Sequence, residues 1–235
     1  MGLDVYVGSF TRYYARDWET VVQKYGREQG YPVEVVRGDP PDALTDQSEI
    51  RAAIVEWRDQ VNAALGSSIA QPLDWDESAA APYFTDKPAW DAFGSLLLWA
   101  AYAEHPDLPR PVAFIEDYAS DPAYQRSANP DFKTSSFQLM RDIEVWLPCD
   151  FPFTFRSNDP AGNEIAFGSS IRLVDQLESL NRRTWNAADD AIAQWRFDGA
   201  AFQAPLEIGA KFAFAVMLAL ARDAVAHRLI MKLDY

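Results

Sequence analysis

The sequence predicts an α+β fold: a mostly helical single domain over residues 1–235, with a small sheet made of the two terminal strands and a β-hairpin. Segments with apolar residues at helical spacing outnumber those with the alternating pattern of a strand. The alternating segments fall mainly near the two ends of the chain and in one hairpin-like stretch. Apolar residues make up 49% of the chain and aromatic residues 14%, which is enough for a large core.

Four parts of the chain are predicted to contain strands. Residues 3–7 alternate between apolar and other side chains, as in a half-buried strand, and residues 32–37 (PVEVVR) are also strand-like. Residues 151–156 and 164–167 flank a turn rich in Asn, Asp and Gly, which predicts a hairpin with a wide turn. Residues 229–235 (LIMKLDY) form a short terminal strand that can pair with the first one.

The clearest helix follows Asp46, which is a good N-cap residue, and Glu49 completes a capping-box pattern. Gly66 stands where a helix commonly ends. Between them, apolar residues recur every three or four positions and form one stripe: Ile50, Ile54, Trp57, Val61 and Leu65.

Other helices are predicted from periodicity and from capping residues. They begin at Asp17 and near Pro205, follow Ser169 or Ser170, and cover residues 121–126, 135–146 and 187–195, the last with Asn186 as its cap. Two further segments, residues 89–104 and 212–221, are apolar on almost every side. Helices of that kind are buried, so we expect these two to share one core.

The middle of the chain, residues 31–131, is acidic and rich in proline. It holds 18 Asp and Glu residues against 6 Lys and Arg, and 11 of the 15 prolines. The whole chain has a net charge of −14. We expect an acidic surface region that attracts a basic protein and repels nucleic acid.

A long segment within this region, residues 67–87, is predicted to be an ordered loop and a candidate binding site. Its acidic and aromatic residues are Asp74, Trp75, Asp76, Glu77, Tyr83 and Asp86. We expect Trp75 or Tyr83 to pack on the body of the protein while Asp74, Asp76 and Glu77 face solvent. Three interpretations stay open, namely a solvated acidic loop, a recognition loop and a site for a hard cation. The pattern does not match a calcium loop, so no metal is assigned to it.

A second candidate cluster lies just after the first strand and consists of Arg12, Tyr13 and Tyr14. Arginine beside aromatic residues can recognise a carboxylate, a phosphate or a protein surface. The same residues can equally form the edge of a core, with the tyrosine hydroxyls reaching water.

The remaining candidates for chemistry point to structural roles. Cys149 is the single cysteine, so no disulfide forms within the chain, and we expect a buried thiol. His105 and His227 fall at predicted helix ends, where imidazole can satisfy free carbonyls. The motifs of serine hydrolases, P-loops and dinucleotide sites do not occur, and no cofactor is predicted. No apolar run reaches the length of a membrane span.

Two short stretches, MGLDVYVG at residues 1–8 and DFPF…DPAG…GSS within residues 150–170, resemble a family of uncharacterised bacterial proteins. The resemblance implies a bacterial, cytoplasmic setting but no activity and no catalytic residues. The sequence thus leaves two hypotheses for the function. One is a soluble acidic interaction protein, of an immunity or inhibitor type, that docks on a basic partner. The other is an enzyme that acts on a small molecule or carbohydrate with paired carboxylates.

Overall fold

A six-stranded mixed sheet forms the centre of the fold. The computed structural model describes residues 3–31, 46–129 and 135–235, so the predicted strand at residues 32–37 lies outside the described residues. In chain order the strands are β1 (Asp4–Gly8), β2 (Phe84–Asp86), β3 (Val145–Leu147), β4 (Phe155–Asn158), β5 (Glu164–Ser169) and β6 (Ile230–Asp234). Their order across the sheet is β2-β1-β6-β3-β5-β4.

The predicted pairing of the two terminal strands is confirmed. β1 and β6 are antiparallel along their full length, and Tyr6 lies opposite Lys232. The predicted hairpin is also present as the antiparallel pair β4 and β5, although its first strand starts at Phe155 and not at Phe151. β3 runs parallel to β5 and antiparallel to β6, which joins the hairpin to the terminal strands.

Helices account for most of the remaining regular structure, as the sequence predicts. They are α1 (Phe10–Tyr14), α2 (Val21–Glu28), α3 (Gln47–Leu65), α4 (Trp90–Glu104), α5 (Pro122–Ala128), α6 (Ser170–Arg183), α7 (Asp189–Asp198) and α8 (Leu206–His227). The Asp46 carboxylate accepts hydrogen bonds from the Ser48 and Glu49 amides and so caps α3 as expected. Ser169 caps α6 in the same way through the Arg172 amide.

Three local predictions are wrong. Residues 135–146 do not form a helix: they contain a 3₁₀ turn at Gln138–Arg141 and then the start of β3. Val145, Trp146 and Leu147 are all fully buried, because the short strand is covered on both faces, and that burial outweighs helical periodicity. Asn186 has a φ of 48° and does not cap α7, whose N-cap position is Ala188. Residues 67–87 are not all loop, because Phe84–Asp86 pair with β1.

The four central strands of the sheet are largely buried on both faces, since alternate strand residues face different cores. Val5 and Met231 belong to the core formed with α4, α6 and α8. Tyr6, Ile230 and Phe167 face the opposite side and pack in a second core with α1 and α3. The second core is the more aromatic, and it is the one that adjoins the loop at residues 67–83.

The two apolar helices, α4 and α8, pack against each other as expected. A side chain at Gly209 would come within 2.9 Å of the Ser95 hydroxyl and 3.5 Å of the Ala92 Cα, so the first turns of the two helices lie side by side. Leu97 and Phe214 are buried in the shared core. Trp90, however, is 38% exposed at the start of α4, so the burial expected for this helix does not extend to its first residue.

The acidic middle section does not form a single face. Glu56 and Asp59 lie on α3, which packs on one side of the sheet, whereas Asp91 lies on α4, which packs on the other. In the described residues, none of the helices combines the length and apolar character needed to cross a membrane.

We propose that the chain unfolds as one domain, because both cores contact the same sheet. Leu97→Ala or Phe214→Ala should lower the free energy of unfolding by about 2–5 kcal/mol, as expected for truncation of a large buried side chain. The loss should appear in a single transition in denaturant, detected alike by circular dichroism and tryptophan fluorescence. Val112→Ala, at an 84% exposed position, is the control and should change little. Two separate transitions, of which the mutation shifts only one, would contradict the single domain.

Candidate functional site

The loop at residues 67–83 packs on the second core, as expected. Trp75 is 3% exposed, and its ring centroid lies 5.9 Å from that of Phe10 and 6.0 Å from that of Trp57. Tyr83 is half-buried beside Arg12. Trp75 therefore anchors the loop to the body and is not presented to a partner.

Glu77 is the main correction to the predicted loop, because it is buried and does not face solvent. Its Oε1 accepts hydrogen bonds from the Phe10 amide at 2.9 Å and from the Trp75 indole N–H at 2.5 Å. Its Oε2 accepts one from the Thr11 amide at 2.8 Å. The first amides of a helix have no partner within the helix, so this carboxylate satisfies the start of α1. Glu77 thus ties the loop to α1 and has a structural role.

The other carboxylates of the predicted loop are engaged by partners within the protein. Asp74 forms ion pairs with Arg58 and Arg228. Asp76 accepts the Ser78 amide at 2.8 Å, and this hydrogen bond lowers the pKa of the Asp76 carboxyl. Asp86 pairs with Arg196 at 2.7 Å, beyond the edge of the sheet. These residues do not form the convergent carboxylate pair that the enzyme hypothesis requires.

No cluster of three or more His, Cys, Asp or Glu side chains able to hold a metal ion is present in the described parts of the chain.

The two predicted clusters meet at Arg12. Its guanidinium donates to the Ala81 carbonyl at 2.7 Å and lies 5.2 Å from the centroid of the Tyr83 ring. An ion pair to Asp17 at 3.6 Å holds it from the other side. Arg12 and Glu77 both line a recess of about 180 Å³ between α1, the start of α3 and the loop. Both side chains, however, already have partners within the protein.

Tyr13 and Tyr14 face a different part of the structure from Arg12, so the second predicted cluster divides. The Tyr13 hydroxyl donates to Asp234 at 2.6 Å, and the Tyr14 hydroxyl donates to Asp159 at 2.8 Å. Burial, followed by the nearby Asp159 carboxylate, raises the pKa of Tyr14. Lys232 is the neighbour that the sequence did not reveal, with its ammonium 5.4 Å from the centroid of the Tyr13 ring. The only indication of this in the sequence is the position of Lys232 in the strand LIMKLDY, on the side of the strand that faces the core.

His105 and Cys149 have structural roles. His105 lies 3.0 Å from the Ser127 hydroxyl, which also donates to Glu104 at 2.9 Å. A serine beside a histidine is a common catalytic arrangement, but Ser127 and His105 are only 3% and 2% exposed, which leaves no access for a substrate. Burial raises the pKa of the Cys149 thiol, and its Sγ donates to the Asp74 carbonyl. Cys149 therefore lacks the thiolate character of a nucleophile.

The most exposed apolar side chains define a candidate binding surface that the sequence analysis missed. Among the described residues, the three most exposed large hydrophobic side chains are Phe197, Val112 and Phe202, at 86%, 84% and 81%. Val112 and Phe202 lie in segments beside the first turns of α8 and α4, where Trp90 and Ile208 are also exposed, and Phe197 lies near the end of α7. We call these five residues the first-turn surface. The sequence around Val112 and around Phe202 has neither helical nor strand periodicity. Sequence patterns therefore did not identify these residues as a surface.

Two hydrogen bonds bring the segments of the first-turn surface together. The Leu206 amide donates to the Val112 carbonyl at 3.2 Å, which places Val112 beside the start of α8. The Gln203 amide donates to the Asp91 carboxylate at 2.7 Å, which places Phe202 beside the start of α4. Acidic residues lie among these apolar ones: Asp91, Asp198 and Glu207. The result is an exposed apolar surface with carboxylates around it.

Comparisons of the chain with family models, with curated proteins and with solved structures find no match.

The structural role of Glu77 can be tested by mutation. Glu77→Gln keeps the shape of the side chain but replaces one acceptor oxygen by an NH₂ group, which leaves a buried amide or indole N–H unpaired. We expect the free energy of unfolding to fall by about 1–3 kcal/mol in chemical denaturation. Asp59→Asn, at an exposed position on α3, is the matched control and should have almost no effect. Equal stability of the two variants would show that Glu77 does not tie the loop to α1.

Proposed function

We propose that this protein is an interaction protein of an immunity or inhibitor type, which docks on a basic partner protein through the first-turn surface. The observation that carries this proposal is the exposure of Phe197, Val112 and Phe202, of which Val112 and Phe202 lie in segments hydrogen-bonded to the starts of α8 and α4. Large apolar side chains left in water at neighbouring positions are typical of a contact surface for another protein. Aromatic residues in particular supply much of the binding energy in such contacts.

The charge of the surface and of the whole chain favours a basic partner. Asp91 and Asp198 lie among the apolar residues, and the charges of Glu207 and Lys211 offset each other in an ion pair at 2.8 Å. The net charge of −14 adds a long-range attraction for cationic proteins and repels other acidic ones. Complementary potentials of this kind speed the encounter of two proteins and reject wrong partners.

A bacterial cytoplasmic setting completes the proposal. It rests on the resemblance of residues 1–8 and 150–170 to bacterial proteins and on the single, unpaired Cys149. A cysteine without a disulfide partner is typical of proteins in a reducing compartment.

The surface can be tested with paired variants. Immobilised protein should retain a basic protein from an extract of its source cells, and mass spectrometry identifies it. Phe202→Ser should abolish retention, because it removes an exposed aromatic contact. Tyr25→Ser is the matched control, since Tyr25 is 65% exposed on α2 and is not one of the residues of the first-turn surface. Retention of the same partner by the Phe202→Ser protein, or loss of it with Tyr25→Ser, would place the contact elsewhere.

The electrostatic part of the proposal has its own measurement. With the captured partner purified, the association rate constant should fall steeply as sodium chloride rises from about 0.05 M to 0.5 M, because the ions screen attraction beyond a few ångströms. The dissociation rate should change much less, since it depends on close apolar contacts. An association rate constant that does not change over this range would contradict electrostatic attraction between the acidic chain and its partner.

A further inference from the structure

The recess between α1, the start of α3 and the loop at residues 67–83 is small and almost entirely polar. Its volume of about 180 Å³ is below the roughly 300–1,000 Å³ of pockets that bind drug-sized ligands. Nine of the ten described residues that line it are polar or charged, and Ala79 is the exception. A ligand that fits this recess is therefore small and binds through hydrogen bonds rather than through apolar contacts.

Hydrogen bonds within the protein fix the walls of the recess. Glu77 joins the loop to the Phe10 and Thr11 amides of α1. Arg12 joins the same helix to the Ala81 carbonyl, and the Ser9 hydroxyl oxygen caps α1 by accepting from the Arg12 amide at 3.1 Å. Because α1 and the loop are fastened to each other at these points, the recess is formed before a ligand arrives. A preformed site does not have to be ordered when its ligand binds.

Thr11 lines the recess with a polar group that the fold leaves unused. The residue is only 9% exposed, and within the described parts of the chain its buried hydroxyl oxygen has no hydrogen-bond partner. Most buried polar groups in proteins are paired, because an unpaired one costs stability. Valine has the same shape without this cost, so fold stability alone gives no reason for a threonine here. Threonine in a helix has two favourable χ1 rotamers, so its hydroxyl can turn toward a ligand in the recess.

We propose that this recess binds a small, neutral polyol and that the Thr11 hydroxyl forms a hydrogen bond with it. The lining carries two positive side chains, Arg12 and Arg51, and two negative ones, Asp17 and Glu77, so a full charge on the ligand gains little. Serine and threonine hydroxyls both donate and accept hydrogen bonds, as the hydroxyls of a polyol do. The described lining residues include no aromatic ring on which a sugar ring could stack, which favours an open-chain polyol. This inference is independent of the docking function proposed above.

A matched series of ligands tests the chemical class. Sorbitol, gluconate and glucamine share a six-carbon polyhydroxy chain and differ in a neutral, an anionic or a cationic end. In NMR titrations of the full chain labelled with ¹⁵N, sorbitol should shift the amide signals of Thr11, Ser48 and Ser78 in a saturable way. It should also bind more tightly than either charged compound. The Ser157 amide on β4, which does not line the recess, should not shift. Sorbitol titrations without saturable shifts at the recess, or tighter binding of gluconate or glucamine, would overturn the proposal.

Thr11→Val separates ligand binding from a structural role of the hydroxyl. Valine keeps the shape and removes an unpaired polar group, so the melting temperature without ligand should not fall. The Kd for sorbitol, measured from the Ser48 and Ser78 amide signals, should rise about three- to tenfold, the ratio expected for one neutral hydrogen bond. Thr184→Val is the control and should leave this Kd unchanged, because the Thr184 hydroxyl donates to the Leu180 carbonyl at 2.7 Å and does not line the recess. Unchanged affinity of the Thr11→Val protein, or a lower melting temperature without ligand, would show that the hydroxyl does not serve a ligand.

Discussion

The pairing of β1 with β6 is the constraint on which the rest of the structure depends. It brings the two ends of the chain together near the middle of the sheet, so β2 and β3 add to edges that already exist. Because both faces of this pair are covered, its alternate residues must serve two cores. α4 and α8 cover one face, and α1 and α3 cover the other. Disruption of this pair would thus remove the support of both layers.

The two cores differ in their aromatic content. The core around α4 and α8 is mainly aliphatic, and buried polar groups such as His105 and Ser127 lie beside it. The opposite face combines aromatic rings with buried polar groups, including Glu77, Asp159 and Lys232. Glu77 satisfies backbone amides and so stabilises the fold.

The proposed docking surface depends on how two helix starts are placed. Gly209 allows α8 to approach α4 closely, and the first turns of both helices therefore reach the same end of the molecule. The segment that holds Val112 is attached there by a backbone hydrogen bond from Leu206, and the segment that holds Phe202 by a hydrogen bond from the Gln203 amide to the Asp91 carboxylate. These two segments pack on the helix ends. No other part of the described chain packs on the segments themselves, so their apolar side chains are exposed.

The sequence by itself determined the features that depend on neighbours along the chain. Periodicity and capping predicted α3 and α6, alternation predicted β1 and β6, and the absence of a polar face predicted the burial of α4 and α8. Features that depend on contacts between residues far apart in the sequence were decided only by the tertiary structure. The buried state of Glu77 depends on α1, 66 residues earlier in sequence, and the position of Lys232 against Tyr13 depends on the pairing of the chain ends. Local patterns record whether a side chain is apolar or charged, but burial of a charge is decided by the groups that fold around it.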